Sequence, residues 1–129
     1  MSFAPHTPLS QDQIIALLRR ANEVAQRART LGRHPFGALL VAPGDPELPA
    51  LRPALRSWAP IQQTRLPFPA LLLGSSNDPY CSLARAQQFA SDWGARFVSL
   101  GERGHLNADS GLGDWPEGHQ WLRQLQAEA

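Results

Sequence analysis

The apolar positions of this chain fall into two kinds of run. Ile14, Ile15, Leu17, Leu18, Ala21, Val24, Ala25 and Ala28 recur at helical spacing, with Arg19, Arg20, Glu23, Gln26, Arg27 and Arg29 on the other side. That stripe predicts an amphipathic helix from about Gln11 to Leu31. Ser10-Gln11-Asp12-Gln13 has the S-x-x-Q form of a capping box at its start, and Gly32 stands where a C-terminal cap belongs. The other runs are short and nearly continuous: Phe36 to Ala42, Ala70 to Ser75 and Ala95 to Leu100. The nearly continuous run Phe36 to Ala42 predicts a strand covered on both faces, and the other two runs predict a second and a third strand. Between the last two lies a second helical pattern, Ser82 to Trp93, with Leu83, Ala86, Phe89, Ala90 and Trp93 on one side. Ser82 is its N-cap and Gly94 its terminator. Pro116 opens a last helix, Glu117 to about Ala127, with His119, Leu122 and Leu125 expected toward the sheet.

Breakers and prolines fill the remainder. Residues 1–9 read as a loose tail and Arg33-His34-Pro35 as a turn, with His34 a turn residue. Pro43-Gly44-Asp45-Pro46 stops the first strand, and the Pro-punctuated stretch after it allows a short helix from Pro49 to Ser57. Trp58-Ala59-Pro60-Ile61 and Leu66-Pro67-Phe68-Pro69 are too apolar for a flexible linker and are expected to pack. Gly101 to Trp115 is a Gly-rich loop. Strands alternating with helices predict an α/β fold, a small three-stranded parallel sheet with flanking helices, in a single domain over residues 10–129.

Composition narrows the function classes. The net charge is +1 across 129 residues, and the twelve basic residues, all Arg, are scattered, so neither nucleic acid nor a membrane surface is expected as a partner. One cysteine, Cys81, leaves no internal disulfide and no multi-cysteine metal site. No apolar run reaches transmembrane length, and the N-terminus lacks a basic-then-apolar leader pattern, so a cytoplasmic setting is expected.

The second and third strand runs each break at a polar loop that carries one acid–base residue: Asp78 after the first of them, His105 after the next. In an open parallel sheet, ligands and catalytic groups gather past the C-terminal ends of the strands. An Asp and a His there are the orienting and proton-moving members of a nucleophilic triad. Asn-Asp-Pro is also a good turn sequence and His105 could be a loop histidine, so neither residue alone makes a site. Ser75, Ser76, Ser82 and Ser110 offer hydroxyls, but none lies on a strand–Ser–helix elbow, and Ser75 and Ser76 suit caps or turns. Cys81 reads as a small buried apolar residue, with no basic neighbour evident to lower its pKa.

Several longer phrases carry a resemblance. They are Gly37-Ala38-Leu39-Leu40-Val41-Ala42-Pro43 followed by Asp45-Pro46-Glu47, then Trp58-Ala59-Pro60-Ile61 and Leu66-Pro67-Phe68-Pro69. Asn77-Asp78-Pro79-Tyr80-Cys81-Ser82, Trp93-Gly94-Ala95-Arg96 and Gly104-His105-Leu106-Asn107-Ala108-Asp109-Ser110-Gly111-Leu112-Gly113-Asp114-Trp115-Pro116 complete the set. From about residue 37 to 129 the chain resembles the C-terminal half of the YdeN-like, or retinoblastoma-binding-protein-9-like, serine hydrolases of the α/β-hydrolase fold. The resemblance implies that Asp78 and His105 are the triad acid and base, that the substrate is a small ester or amide, and that no cofactor or metal is needed. The family's nucleophile sits in a Gly-x-Ser-x-Gly elbow upstream of the first strand here, and these 129 residues contain no such motif. The resemblance therefore implies a partial hydrolase fold with an Asp–His pair and little turnover of its own.

Residues of about 10–41 resemble something else. An amphipathic helix followed by Gly32-Arg33-His34-Pro35-Phe36-Gly37-Ala38-Leu39-Leu40-Val41 is similar to the start of the cytidine/adenosine deaminases. That chemistry needs His-x-Glu and a later Pro-Cys-x-x-Cys to hold zinc. His6, His34, His105 and His119 all lack a Glu two residues on, and Cys81 has no partner. The expectation is a junction near residue 37 between a deaminase-like start and a hydrolase-like remainder. A non-catalytic interaction or assembly module is the alternative to a hydrolase, and a deaminase-related fragment is the least favoured reading. Strand 36–42 is expected at a sheet edge with no charged residue to blunt it, which makes self-association through that strand the expected partner interaction.

Overall fold

The computed structural model describes residues 9–32 and 37–128. The expected tail over residues 1–8, the turn at Arg33-His34-Pro35 and the start of the first strand at Phe36 lie outside the described residues. The chain divides into two compact units, residues 1–35 and 36–129.

The first unit holds one helix, α1 (Gln11–Thr30). Its capping box is made as the sequence reads: Gln13 N–H donates to Ser10 Oγ at 3.2 Å, and Ser10 N–H to Gln13 Oε1 at 2.8 Å. The chain leaves the helix through Gly32 at φ 69°, the left-handed value that favours glycine. None of its residues is buried, the stripe residues Ile14, Leu17 and Val24 included.

The second unit is built on three parallel strands in the order β1 (Ala38–Val41), β2 (Ala70–Gly74) and β3 (Arg96–Ser99). Leu39 pairs with Leu71, and Leu71 with Arg96. β2 is central and fully buried. Its side chains alternate between two cores, as the period of a strand requires. Leu72 packs with Cys81, Ala86, Phe89 and Ala90 on one face, and Leu71 and Leu73 pack with Leu125 on the other. The helices supplying those faces are α2 (Leu83–Trp93) and α3 (Pro116–Glu128). This is the three-stranded α/β architecture the runs predict.

Four local expectations change. β1 ends at Val41 because Ala42 turns to φ 44°. The helix expected over Pro49 to Ser57 is a chain of turns, with Arg52 N–H on Leu48 O and Leu55 N–H on Leu51 O, closed by one 3-10 turn at Arg56–Trp58. Pro53 has no N–H to donate and interrupts the ladder there. Trp58 is 69% exposed rather than packed, whereas Ile61 does pack against the α2 core. In α3 the inward residues are Gly118, Trp121 and Leu125, while His119 and Leu122 are exposed. Gly118 sets that phase, because a Cβ there would lie 2.2 Å from the Trp115 ring.

β1 lies at one edge of the sheet. Ala38 and Ala42 donate their N–H groups to Pro69 O and Leu73 O of the β2 side. Alternation then turns the backbone groups of Leu39 and Val41 outward, and among the described residues no strand lies beyond them. No helix of the described residues is long and apolar enough to cross a membrane.

Candidate active site

The site is assembled by the loops that leave β2 and β3. Gly74 ends β2 where the sheet meets α2; a Cβ there would come 3.0 Å from the Phe97 ring and 3.4 Å from the Ala86 Cβ, so a larger residue would have to displace the ring. The two loops then run side by side. Leu100 N–H donates to Gly74 O and Ser76 N–H to Gly101 O, both at 2.9 Å, extending the pairing past the strand ends. Gly101 at φ 74° and Gly104 at φ 61° let the second loop curl back over the first.

That curl brings His105 onto Asp78. Nδ1 of the imidazole lies 2.9 Å from Asp78 Oδ2 and 3.1 Å from Oδ1. The carboxylate is 2% exposed and the imidazole 28%. Asp78 Oδ1 also accepts the N–H of Tyr80 at 2.9 Å, which fixes the carboxylate's rotation. A carboxylate only accepts, so Nδ1 carries the proton and donates it. The Nε2 atom is left as the ring's acceptor, and among the described residues the ring hydrogen-bonds to Asp78 alone. The Tyr80 ring stands edge-on to the imidazole, centroids 4.7 Å apart. A cavity of about 340 Å³ opens here, bounded by Pro79, Tyr80, Arg103, His105, Asn107 and Ser110 among others.

The candidate hydroxyls are placed differently. Ser75 is 2% exposed, and its Oγ donates to Asn77 Oδ1 at 3.0 Å while accepting Arg103 N–H at 2.9 Å. Ser82 accepts Arg85 N–H as the cap of α2. Ser110 accepts Asn107 N–H at 3.3 Å. Ser76 is exposed. None of the four hydrogen-bonds to His105. Cys81 is buried, 3% exposed, and its thiol is pushed up from an ordinary 9.0 to about 11. Burial is the main cause, followed by the carboxylates of Asp45 and Asp78. The sequence showed no basic neighbour, yet the Arg85 guanidinium is one and pulls the other way; burial outweighs it.

Two residues of the site were missed by sequence reasoning. Tyr80 forms the wall beside His105, and Asn77 links the two loops. Their one sequence signal was position, next to Asp78 in a phrase dominated by turn formers. Among the described residues no group of three or more His, Cys, Asp or Glu is placed to hold a metal ion.

An Asp–His pair on consecutive strand ends of a parallel sheet is an arrangement for activating a hydroxyl. The family profile described as serine hydrolase matches residues 15–124. This chain belongs to the serine hydrolase family. The match begins inside α1, so it takes in most of the helix that resembles a deaminase start. Among solved structures, a YdeN-like hydrolase from Pectobacterium atrosepticum is similar, with 30% identity and a TM-score of 0.60 over 91% of this chain and 69% of that one. No curated protein matches. In this serine hydrolase-family chain, Asp78 and His105 stand where the sequence expected them, and the structure brings them together.

Proposed function

We propose that this chain carries the acid and base of a serine hydrolase site for small esters or amides, with little or no turnover until a hydroxyl is brought to Nε2 of His105. The observation that carries this reading is the 2.9 Å contact from His105 Nδ1 to a buried Asp78 carboxylate. With Nδ1 committed, Nε2 takes the proton of an attacking hydroxyl as its oxygen adds to the carbonyl carbon. The imidazolium so formed sits against Asp78, then returns the proton to the leaving alcohol or amine as the tetrahedral species collapses. A water repeats both steps on the acyl ester, releasing the acid and the original hydroxyl.

The hydroxyl is the missing part. Ser75 is committed to two hydrogen bonds, and the 129 residues hold no Gly-x-Ser-x-Gly. Exposure to a fluorophosphonate serine probe tests the reading. The purified chain is expected to stay unlabelled; labelling that disappears in Ser76→Ala or Ser110→Ala would refute it. A second reading, an interaction or assembly module, is favoured by one observation: the outward backbone groups of Leu39 and Val41 at the β1 edge. Those groups suit an added strand from a second copy of this chain.

A further inference from the structure

The loop that carries His105 is not held by His105 alone. Ser75, buried at the end of β2, donates its hydroxyl to Asn77 Oδ1 at 3.0 Å. The same hydroxyl accepts Arg103 N–H at 2.9 Å, and Asn77 Oδ1 accepts Gly104 N–H at 2.7 Å. Two side chains of the Asp78 loop therefore satisfy two consecutive amides immediately before His105, 27 and 28 residues away in sequence. We propose that Ser75 and Asn77 are positioning residues that clamp the base loop to the acid loop and so hold His105 Nδ1 on Asp78.

The base loop needs such a restraint. Gly101 and Gly104, both left-handed, give it freedom that must be lost to place the ring. The imidazole is packed on the Tyr80 ring but remains 28% exposed, so its contact with Asp78 competes with water. The clamp puts the cost of ordering on backbone amides instead. Ser75 is the stronger anchor, because a buried hydroxyl left without partners is costly, so its geometry is enforced from within the core. The role also separates Ser75 from nucleophilic chemistry: its proton is already given to Asn77. Neither side chain reaches the reacting atoms, so both act through His105.

The proposal rests on the Asp–His reading, and the experiment separates the two. The ring Nδ1–H of His105 is observed by proton NMR in the full chain, together with exchange of the Arg103 and Gly104 amides. Wild-type chain is expected to show the bonded ring proton and protection of both amides relative to Glu102. Asn77→Ala and Ser75→Ala are expected to lose or broaden the ring proton and speed exchange of the freed amide about tenfold or more. Asn77→Asp, which keeps an acceptor oxygen in place, is expected to retain both signals. A merely structural role would lower melting temperature while leaving the ring proton in the folded variants. A ring proton present in wild type and unchanged in both alanine variants overturns the clamp and leaves the pair standing. Its absence in wild type overturns both. If the alanine variants fail to fold, the wild-type amides decide: exchange of Arg103 and Gly104 at free-loop rates overturns the clamp, and protection supports it.

Discussion

Asp78→Asn changes one atom of the site, and the backbone of Tyr80 decides its effect on His105. Asp78 Oδ1 accepts Tyr80 N–H at 2.9 Å, while Oδ2 faces His105 Nδ1 at the same distance. An asparagine must choose which atom faces which neighbour. Turning its amide nitrogen toward Tyr80 would set two donors against each other at a side chain that is 2% exposed. The carboxamide oxygen therefore stays on Tyr80, and the NH₂ group points at His105. The atom nearer Nδ1, at 2.9 Å, is then a donor, and the oxygen at 3.1 Å is the weaker alternative partner, so the ring proton is favoured on Nε2 and the acceptor there is lost.

The size of the switch follows from hydrogen-bond energies. A bond to a charged acceptor is worth about 2 kcal/mol net, which holds the wild-type ring about thirtyfold in the Nδ1–H form. A neutral amide donor is worth about 1 kcal/mol, enough for about fivefold preference the other way. Ring ¹⁵N shifts of His105 report the tautomer directly. Wild type is expected to show a protonated Nδ1, the variant a protonated Nε2, with the backbone spectrum otherwise unchanged beyond the two loops. In an intact triad the same tautomer error costs about ten-thousandfold in rate. An Asp78→Asn chain that keeps the Nδ1–H form would show that the carboxamide oxygen serves Nδ1–H, alongside Tyr80 N–H or turned away from it, and would refute the tautomer switch.

Three further outcomes are expected. Burial pushes the Cys81 thiol up from 9.0 to about 11, so between those values the unfolded chain is expected to lose a proton that the folded chain keeps. Stability present below pH 9 then falls by up to about 3 kcal/mol as pH rises through 11, and Cys81→Ala should remove that part of the slope in urea titrations. Native Cys81 should likewise resist iodoacetamide at about pH 8, below the range in which its thiol ionises. Arg85→Ala leaves Asp45 without the Nε contact at 3.1 Å and Glu47 without its partner, and strips a cation from 4.6 Å above the Phe89 ring. A fully buried pair would lose about 3–5 kcal/mol on removal of one partner. Arg85 is a quarter exposed, so about 1–3 kcal/mol in chemical denaturation is expected, and no change would contradict the network. Sedimentation should show the chain self-associating with concentration, and Leu39→Lys should weaken it by placing a charge on the edge strand. A chain that stays monomeric at high concentration, with the variant no different, rules out pairing through this edge.

What could be read from the sequence was decided by interactions of short range or by strong burial. The capping box at Ser10, the cap at Ser82 and the terminator at Gly94 are local contracts between neighbouring residues, and each is made. Leu71-Leu72-Leu73, bounded by Pro69 and Gly74, is too short for a buried helix and reads as a buried strand, and all three are fully buried. What could not be read depended on partners far along the chain. The inward face of α3 turns by one residue because Trp115 lies over Gly118, a contact that hydrophobic spacing does not encode. Trp58 reads as core by composition, yet it is exposed, since Ile61 and Leu66 already make the packing and backbone contacts of that segment with α2.

The site shows the same division more sharply. Asp78 and His105 were legible because their positions repeat, one past each of two successive strands, and because the phrases around them carry the family resemblance. Ser75 and Asn77 were not, because Gly-Ser-Ser-Asn-Asp is also the composition of any good turn. Their work is long-range: one hydroxyl and one amide oxygen reach across to amides of Arg103 and Gly104. A residue type that bonds its own turn and one that bonds a distant loop look identical in sequence. The distinction comes from burial, since Ser75 at 2% exposure has no water to bond and must find its partners in the protein. A buried serine in a turn-like phrase beside an acid of this kind is thus more informative as an anchor for the opposing loop than as a nucleophile.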